Sequence, residues 1–167
     1  PRALAWVALP DLTAAVSLAS RVRRELAGLE ALELVMEPAL ELAAARRGVA
    51  RPVAAQAGPA VLVEAGGGEA GAAALETLLA GAPEVVDAVM ATDEPGRRRL
   101  WEIRESISEA VNGEGVPHKL DVVIPYARLA AFGESVDAIA RAVNSGARVI
   151  TWGCLLYTSD AADEGLG

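Results

Sequence analysis

AVLVEAGGGEAG, residues 60–71, decides between two folds. An apolar run ends in a glycine tract, and a helical pattern follows over 69–80, so the stretch reads strand, turn, helix. Gly66-x-Gly68-x-x-Gly71 has the spacing of a dinucleotide fingerprint, which belongs to a parallel sheet. Asp87 lies about 20 residues on, the spacing of a ribose-binding acid. That acid belongs at the C-terminal end of its strand, however, and Asp87 falls inside or at the start of VVDAVMA (85–91). With 16 glycines in the chain the spacing also arises by chance, and a flexible strand-to-helix turn is the plainer reading.

Outward from this stretch the elements fall in a regular order. ALAWVAL (3–9) is a short apolar run ended by Pro10 and reads as a buried strand. Asp11 caps a helix with Leu12, Val16, Ala19, Val22 and Leu26 on one face, closed by Gly28. LEALELVM (29–36) alternates apolar and acidic residues as a half-buried strand, and Pro38 opens a short helix to about Arg47. A loop over 48–59 leads into the strand at 60–65. The order β-α-β, inserted helix, β-α-β predicts an α+β fold. Its first part is a ferredoxin-like βαββαβ unit over 1–91, with helices on one face of an antiparallel sheet. A helix over 93–112, a strand HKLDVVIP (118–125), a helix over 126–145 and a strand ARVITW (147–152) then form a truncated second α/β unit over 92–153.

Bulk properties exclude several partners. A net charge of −8 argues against nucleic acid and against an anionic membrane surface. No run approaches the ~18 apolar residues of a membrane span, and PRALAWVALPD has no signal-peptide pattern. A single cysteine points to a reducing, cytoplasmic setting. His118, the one histidine, has no partners at ligand spacing, so a metal role is not expected from it. Arg97-Arg98-Arg99 reads as a solvated helix face beside Asp93 and Glu94.

LWEIRESISEAV (100–111) carries the chemistry. Leu100, Ile103, Ile107 and Val111 form an apolar stripe, while Arg104 and Ser108, four apart, share a neighbouring face. Lys119 stands alone against 14 arginines and follows the sharp turn GEGVP. Two cations and a hydroxyl brought together suit a small carboxylate, held by Arg104 through two parallel hydrogen bonds. From spacing alone an ordinary surface face accounts for the same residues.

ATDEPGRRRLWEIRESI, followed by GVPHKLDVVIPYARL, resembles the C-terminal, substrate-side domain of flavin-linked oxidases of 2-hydroxy acids. These include D-2-hydroxyglutarate dehydrogenase, D-lactate dehydrogenase and the glycolate oxidase D subunit. LEALELVMEPALELA and AVLVEAGG resemble earlier pieces of the same domain, so the resemblance spans 1–153. It implies a parent that passes a hydride from a D-2-hydroxy acid to FAD, which a separate N-terminal domain mainly holds. It implies substrate-binding roles for Arg104, for Ser108 (threonine in the dehydrogenase compared) and for Lys119. It also implies a divalent metal such as zinc, held by a G-H-x-G-D-G-N-x-H loop after Gly153. Here Gly153 is followed by Cys-Leu-Leu-Tyr.

CLLYTSDAADE (154–164) reads as the translation of a transposon-based sequencing adapter, with a divergent C-terminus as the alternative. Residues 154–167 are then a non-native tail that holds the only cysteine. On this reading the chain is a substrate-binding cap fragment, inactive alone, whose partners are a 2-hydroxy-acid substrate and the flavin domain of its parent. The alternative is a stand-alone, non-catalytic ferredoxin-like module that binds a carboxylate or a nucleotide.

Overall fold

A computed structural model describes residues 2–53 and 58–156. The tail from residue 157 onward and part of the 48–59 loop lie outside them. The elements run β1 (Ala3–Ala8), α1 (Leu12–Glu25), β2 (Leu29–Val35), α2 (Glu37–Arg47), β3 (Ala60–Ala65), α3 (Gly68–Ala80), β4 (Asp87–Ala91), α4 (Glu94–Glu105), α5 (Ile107–Gly113), α6 (Tyr126–Val143) and β5 (Trp152–Cys154). The sheet order is β4-β1-β3-β2-β5, with every neighbouring pair antiparallel. Its first four strands have the expected ferredoxin-like arrangement. The strand joined by α1 to β1, and the one joined by α3 to β3, each lie one strand away, so both βαβ units are split.

Local signals explain the element ends. The Asp11 side chain accepts a hydrogen bond from the Ala14 N–H at 2.8 Å and caps α1. Pro38 opens α2, and Gly48 closes it in the left-handed conformation that glycine tolerates, at φ 63°. The buried stripe of α1 is Ala15, Leu18, Ala19 and Val22, with Leu26 just beyond the helix. It is thus rotated slightly from the expected face, because Leu12 and Val16 lie at its margin.

Alternation along the central strands divides the core into two layers. Ala3, Ala5 and Val7 of β1, with Val61 and Val63 of β3, pack beneath α1 and α3. These are the helices of the ferredoxin-like unit and form the expected layer. Leu4, Trp6 and Leu62 face the other way, onto Leu40 of α2, Ile103 of α4 and Ile107 of α5. The inserted helix and the two that follow β4 therefore roof the second face. β1 is apolar on both faces, and β3 is apolar except for Glu64, because both faces of these strands are covered. Buried Trp6 keeps its polar atom satisfied by donating to the Leu100 carbonyl at 3.2 Å.

Three expectations for the second half need correction. The helix over 93–112 is interrupted at Ser106, whose hydroxyl turns back to the Ile103 carbonyl at 2.8 Å and competes with regular helix geometry. HKLDVVIP forms no strand: residues 116–125 have no ladder partner among the described residues, and Val116, Leu120 and Val123 are exposed. Alternation makes a strand only where a neighbour supplies hydrogen bonds. The strand expected at 147–152 begins at Trp152 instead and runs to Cys154 against β2.

Packing separates α4 and α5 from α6, which has no buried residue among its described ones. α6 is tied to α1 by the Arg23 guanidinium, 5.0 Å from the Tyr126 ring centre, and to the sheet edge by a hydrogen bond from the Tyr126 hydroxyl to the Leu155 carbonyl. We expect amide hydrogen exchange to rank α6 and 116–125 well below α4 and α5, whose protection should approach that of β1 and β3. Equal protection across 94–143 would contradict this layering.

Candidate functional site

The charged groups that matter lie beneath α4. Arg97 and Arg104 are seven apart, two turns along one face of that helix. The sheet below carries Glu64 on β3 and Glu33 on β2, near-diagonal neighbours: Glu64 stands opposite Ala31, and Glu33 opposite Leu62. Arg104 donates from Nε and Nη2 to Glu33 Oε2, at 2.8 and 2.6 Å. Arg97 Nη1 lies 3.3 Å from Glu64 Oε1, and this pair is deeply set, with Glu64 only 7% exposed. Arg97 Nε is buried without a partner among the described residues. The solvated face expected for the arginine triplet therefore holds for Arg98 and Arg99, both exposed. Arg97 turns inward instead, since a buried Glu64 needs a counter-charge.

Of the three residues proposed from sequence, Arg104 is half-buried and held at the sheet. Ser108 lies beyond the interruption at Ser106, exposed on α5. Lys119 is exposed in the extended 116–125 stretch. No hydrogen bond or ion pair joins these three among the described residues. Sequence reasoning missed Glu33 and Glu64. The available signal was an acid inside an otherwise apolar strand, AVLVEA, and at an inward position of ALELV. Such acids demand a partner.

Residue 154 lies directly opposite Glu33 in the β2–β5 pairing, so their side chains share the face that looks toward Arg104. This is the position where the resemblance expects the first metal-binding histidine. Among the described residues no three His, Cys, Asp or Glu side chains gather as a metal site.

The glycine tract serves packing. A Cβ on Gly71 would collide with the Gly66 carbonyl oxygen, and one on Gly66 with the Glu30 carboxylate. Arg2 pairs with that carboxylate. An acid thus occupies the approach to the α3 N-terminus, and Asp87 is the first residue of its strand. A cavity of about 220 Å³ lies on the opposite side of β2, between α6 and the sheet edge, with Leu34, Met36, Phe132 and Leu155 in its lining. Its carboxylate, Asp137, pairs with Arg141 at 2.8 Å, and among the described residues no cation in its lining awaits a carboxylate ligand.

The all-antiparallel α+β architecture is not the parallel sheet to which a dinucleotide fingerprint belongs. The chain matches the family described as FAD linked oxidases, C-terminal domain, over residues 1–158, and it belongs to that family. The match runs past Gly153 to Thr158. No curated protein matches the chain.

Removing one partner of the deep pair should be costly. Glu64→Ala is expected to destabilise the domain by about 3 kcal/mol, because Arg97 would be left buried and unpaired. Glu94→Ala, which breaks an exposed pair with Arg98, should cost under about 0.5 kcal/mol. Urea melts of the two variants test this contrast.

Proposed function

We propose that the chain is the substrate-side domain of an FAD-linked enzyme that oxidises a D-2-hydroxy acid, with Arg104, Ser108 and Lys119 gripping the substrate carboxylate. Family membership supports the FAD link and the oxidoreductase class. The observation that carries the site is the state of Arg104. Its Nε and one Nη2 hydrogen are committed to Glu33, while Nη1 has no partner among the described residues. A half-buried guanidinium with an open edge is a ready donor for one carboxylate oxygen. Ser108 adds a hydroxyl donor. Lys119 adds the net positive charge that the Arg104–Glu33 pair lacks, on a stretch with no ladder bonds to restrain its approach. In the parent enzyme FAD, held mainly by another domain, would supply the hydride-accepting chemistry, and the role given to this chain's residues is to hold the substrate. The divalent metal implied by the resemblance does not fit the described residues: His118 is remote in sequence from residue 154, and a cysteine stands where the histidine is expected. In the chain as given, the grip is assigned to Arg104, Ser108 and Lys119.

We also read residues 154–164 as adapter-derived, a reading supported by their change of composition. Leu155 nonetheless sits 3% exposed in the core, a place any apolar residue of that size would fill. Resequencing the source DNA through the codons for 152–156 is expected to show histidine after Gly153. Cys-Leu-Leu-Tyr found in the genome would sink the adapter reading.

Titration of the chain with D-2-hydroxyglutarate should show binding without turnover when FAD and a dye acceptor are added. Arg104→Ala should weaken binding by about tenfold or more, and Lys119→Ala should weaken it too. Binding unchanged in both variants would refute the grip.

A further inference from the structure

We infer that Glu33 is the positioning residue of Arg104: it fixes which edge of the guanidinium faces a ligand. The inference rests on the carboxylate-binding reading above. A guanidinium has two bidentate edges involving Nε or Nη1, and Glu33 Oε2 takes the Nε–Nη2 edge through both of its donors. A ligand is thus left the Nη1 end. Arg104 would otherwise be a long side chain with freedom at each of its torsions, and ordering it on binding costs affinity. Glu33 removes that cost in advance.

The anchor is itself set into the sheet. Glu33 stands inside β2, between β3 and β5, and its side chain is only 12% exposed. An incoming carboxylate does not displace it, because a carboxylate left there without its arginine would be buried and unpaired. The ligand must join the pair. The second arginine–glutamate contact, Arg97 to Glu64 two turns earlier, holds α4 over the same sheet and limits rotation of the helix that carries Arg104.

Orientation and charge make opposite predictions, which Glu33 variants separate. Glu33→Gln removes the charge yet keeps an oxygen acceptor at the same reach. Glu33→Ala removes both. Glu33→Asp keeps the charge but withdraws it by one methylene. In titrations of the full chain with D-2-hydroxyglutarate, at a temperature where circular dichroism shows each variant folded, Glu33→Gln should bind within about threefold of the starting protein. Glu33→Ala and Glu33→Asp should bind on the order of tenfold more weakly, as when the partners that orient other ligating groups are removed. The Arg104 Nε–H resonance should be slow to exchange, unmoved by the ligand, and lost to exchange in Glu33→Ala. If Glu33→Ala does not fold, Glu33→Asp carries the comparison. Equal or tighter binding by both Glu33→Ala and Glu33→Gln would show a competing counter-charge and overturn the role. If the starting protein itself binds no hydroxy acid, the carboxylate-site reading falls, and the role of Glu33 falls with it. A starting protein that binds while all variants bind equally removes Glu33 alone.

Discussion

Two carboxylates on a doubly covered sheet constrain this domain more than any other feature. β2 and β3 pass between helical layers, and Glu33 and Glu64 point into the layer beneath α4. A carboxylate in such a place is tolerated only with a counter-charge and hydrogen bonds. α4 supplies both, and the seven-residue spacing of Arg97 and Arg104 sets how that helix lies on the sheet. Leu100, Ile103 and Ile107 then meet Trp6 and Leu62. Arg47 and Arg46 of α2 reach Glu102 and Glu109, at 2.6 and 3.0 Å, and bind the neighbouring helices into one roof. These exposed pairs add little energy individually. Their placement follows from the buried ones.

The same constraint gives the candidate site its character. An arginine recruited to neutralise a buried acid is already ordered, half-shielded from water and charged. The remaining donors of such a group are worth more to a ligand than those of a free surface arginine, because neither torsional order nor full desolvation has to be supplied on binding. The sheet edge contributes as well. β5 closes against β2 with residue 154 beside Glu33, so whatever side chain stands there shares the neighbourhood of Arg104.

The first four strands and their order were legible because their signals are local. Asp11, Gly48 and Pro38 mark helix ends, and apolar runs bounded by turn residues mark the strands. The bounds of AVLVEA in the sequence are those of β3. What escaped is non-local or degenerate. Nothing within RRR tells which arginine turns inward; that depends on Glu64, 33 positions away in the chain. Glu33 and Arg104 are separated by 71. The pattern of HKLDVVIP is the same whether or not a neighbouring strand exists, so period-two alternation over-predicted there. Ser106 carries too little helix bias to announce the break between α4 and α5. Spacing and resemblance point to Arg104, but its brace exists only where β2 and α4 come together.

The strand order also sets a timetable for assembly. β1 precedes the other strands of this sheet in the chain, pairs with β3 and β4, and is joined to neither by a hairpin. It must therefore wait, apolar on both faces, until most of the chain up to Ala91 is available. β2 waits longer for its outer neighbour, which arrives only at Trp152. Such long-range pairing has to close large loops before any contact rewards it, and this slows folding relative to a helical protein of equal length. Helix α1 can form early and shield β1, since Asp11 caps it from within its own turn. In the folded domain α1 covers one of the two apolar faces of β1, and Asp11 favours the helix that does so.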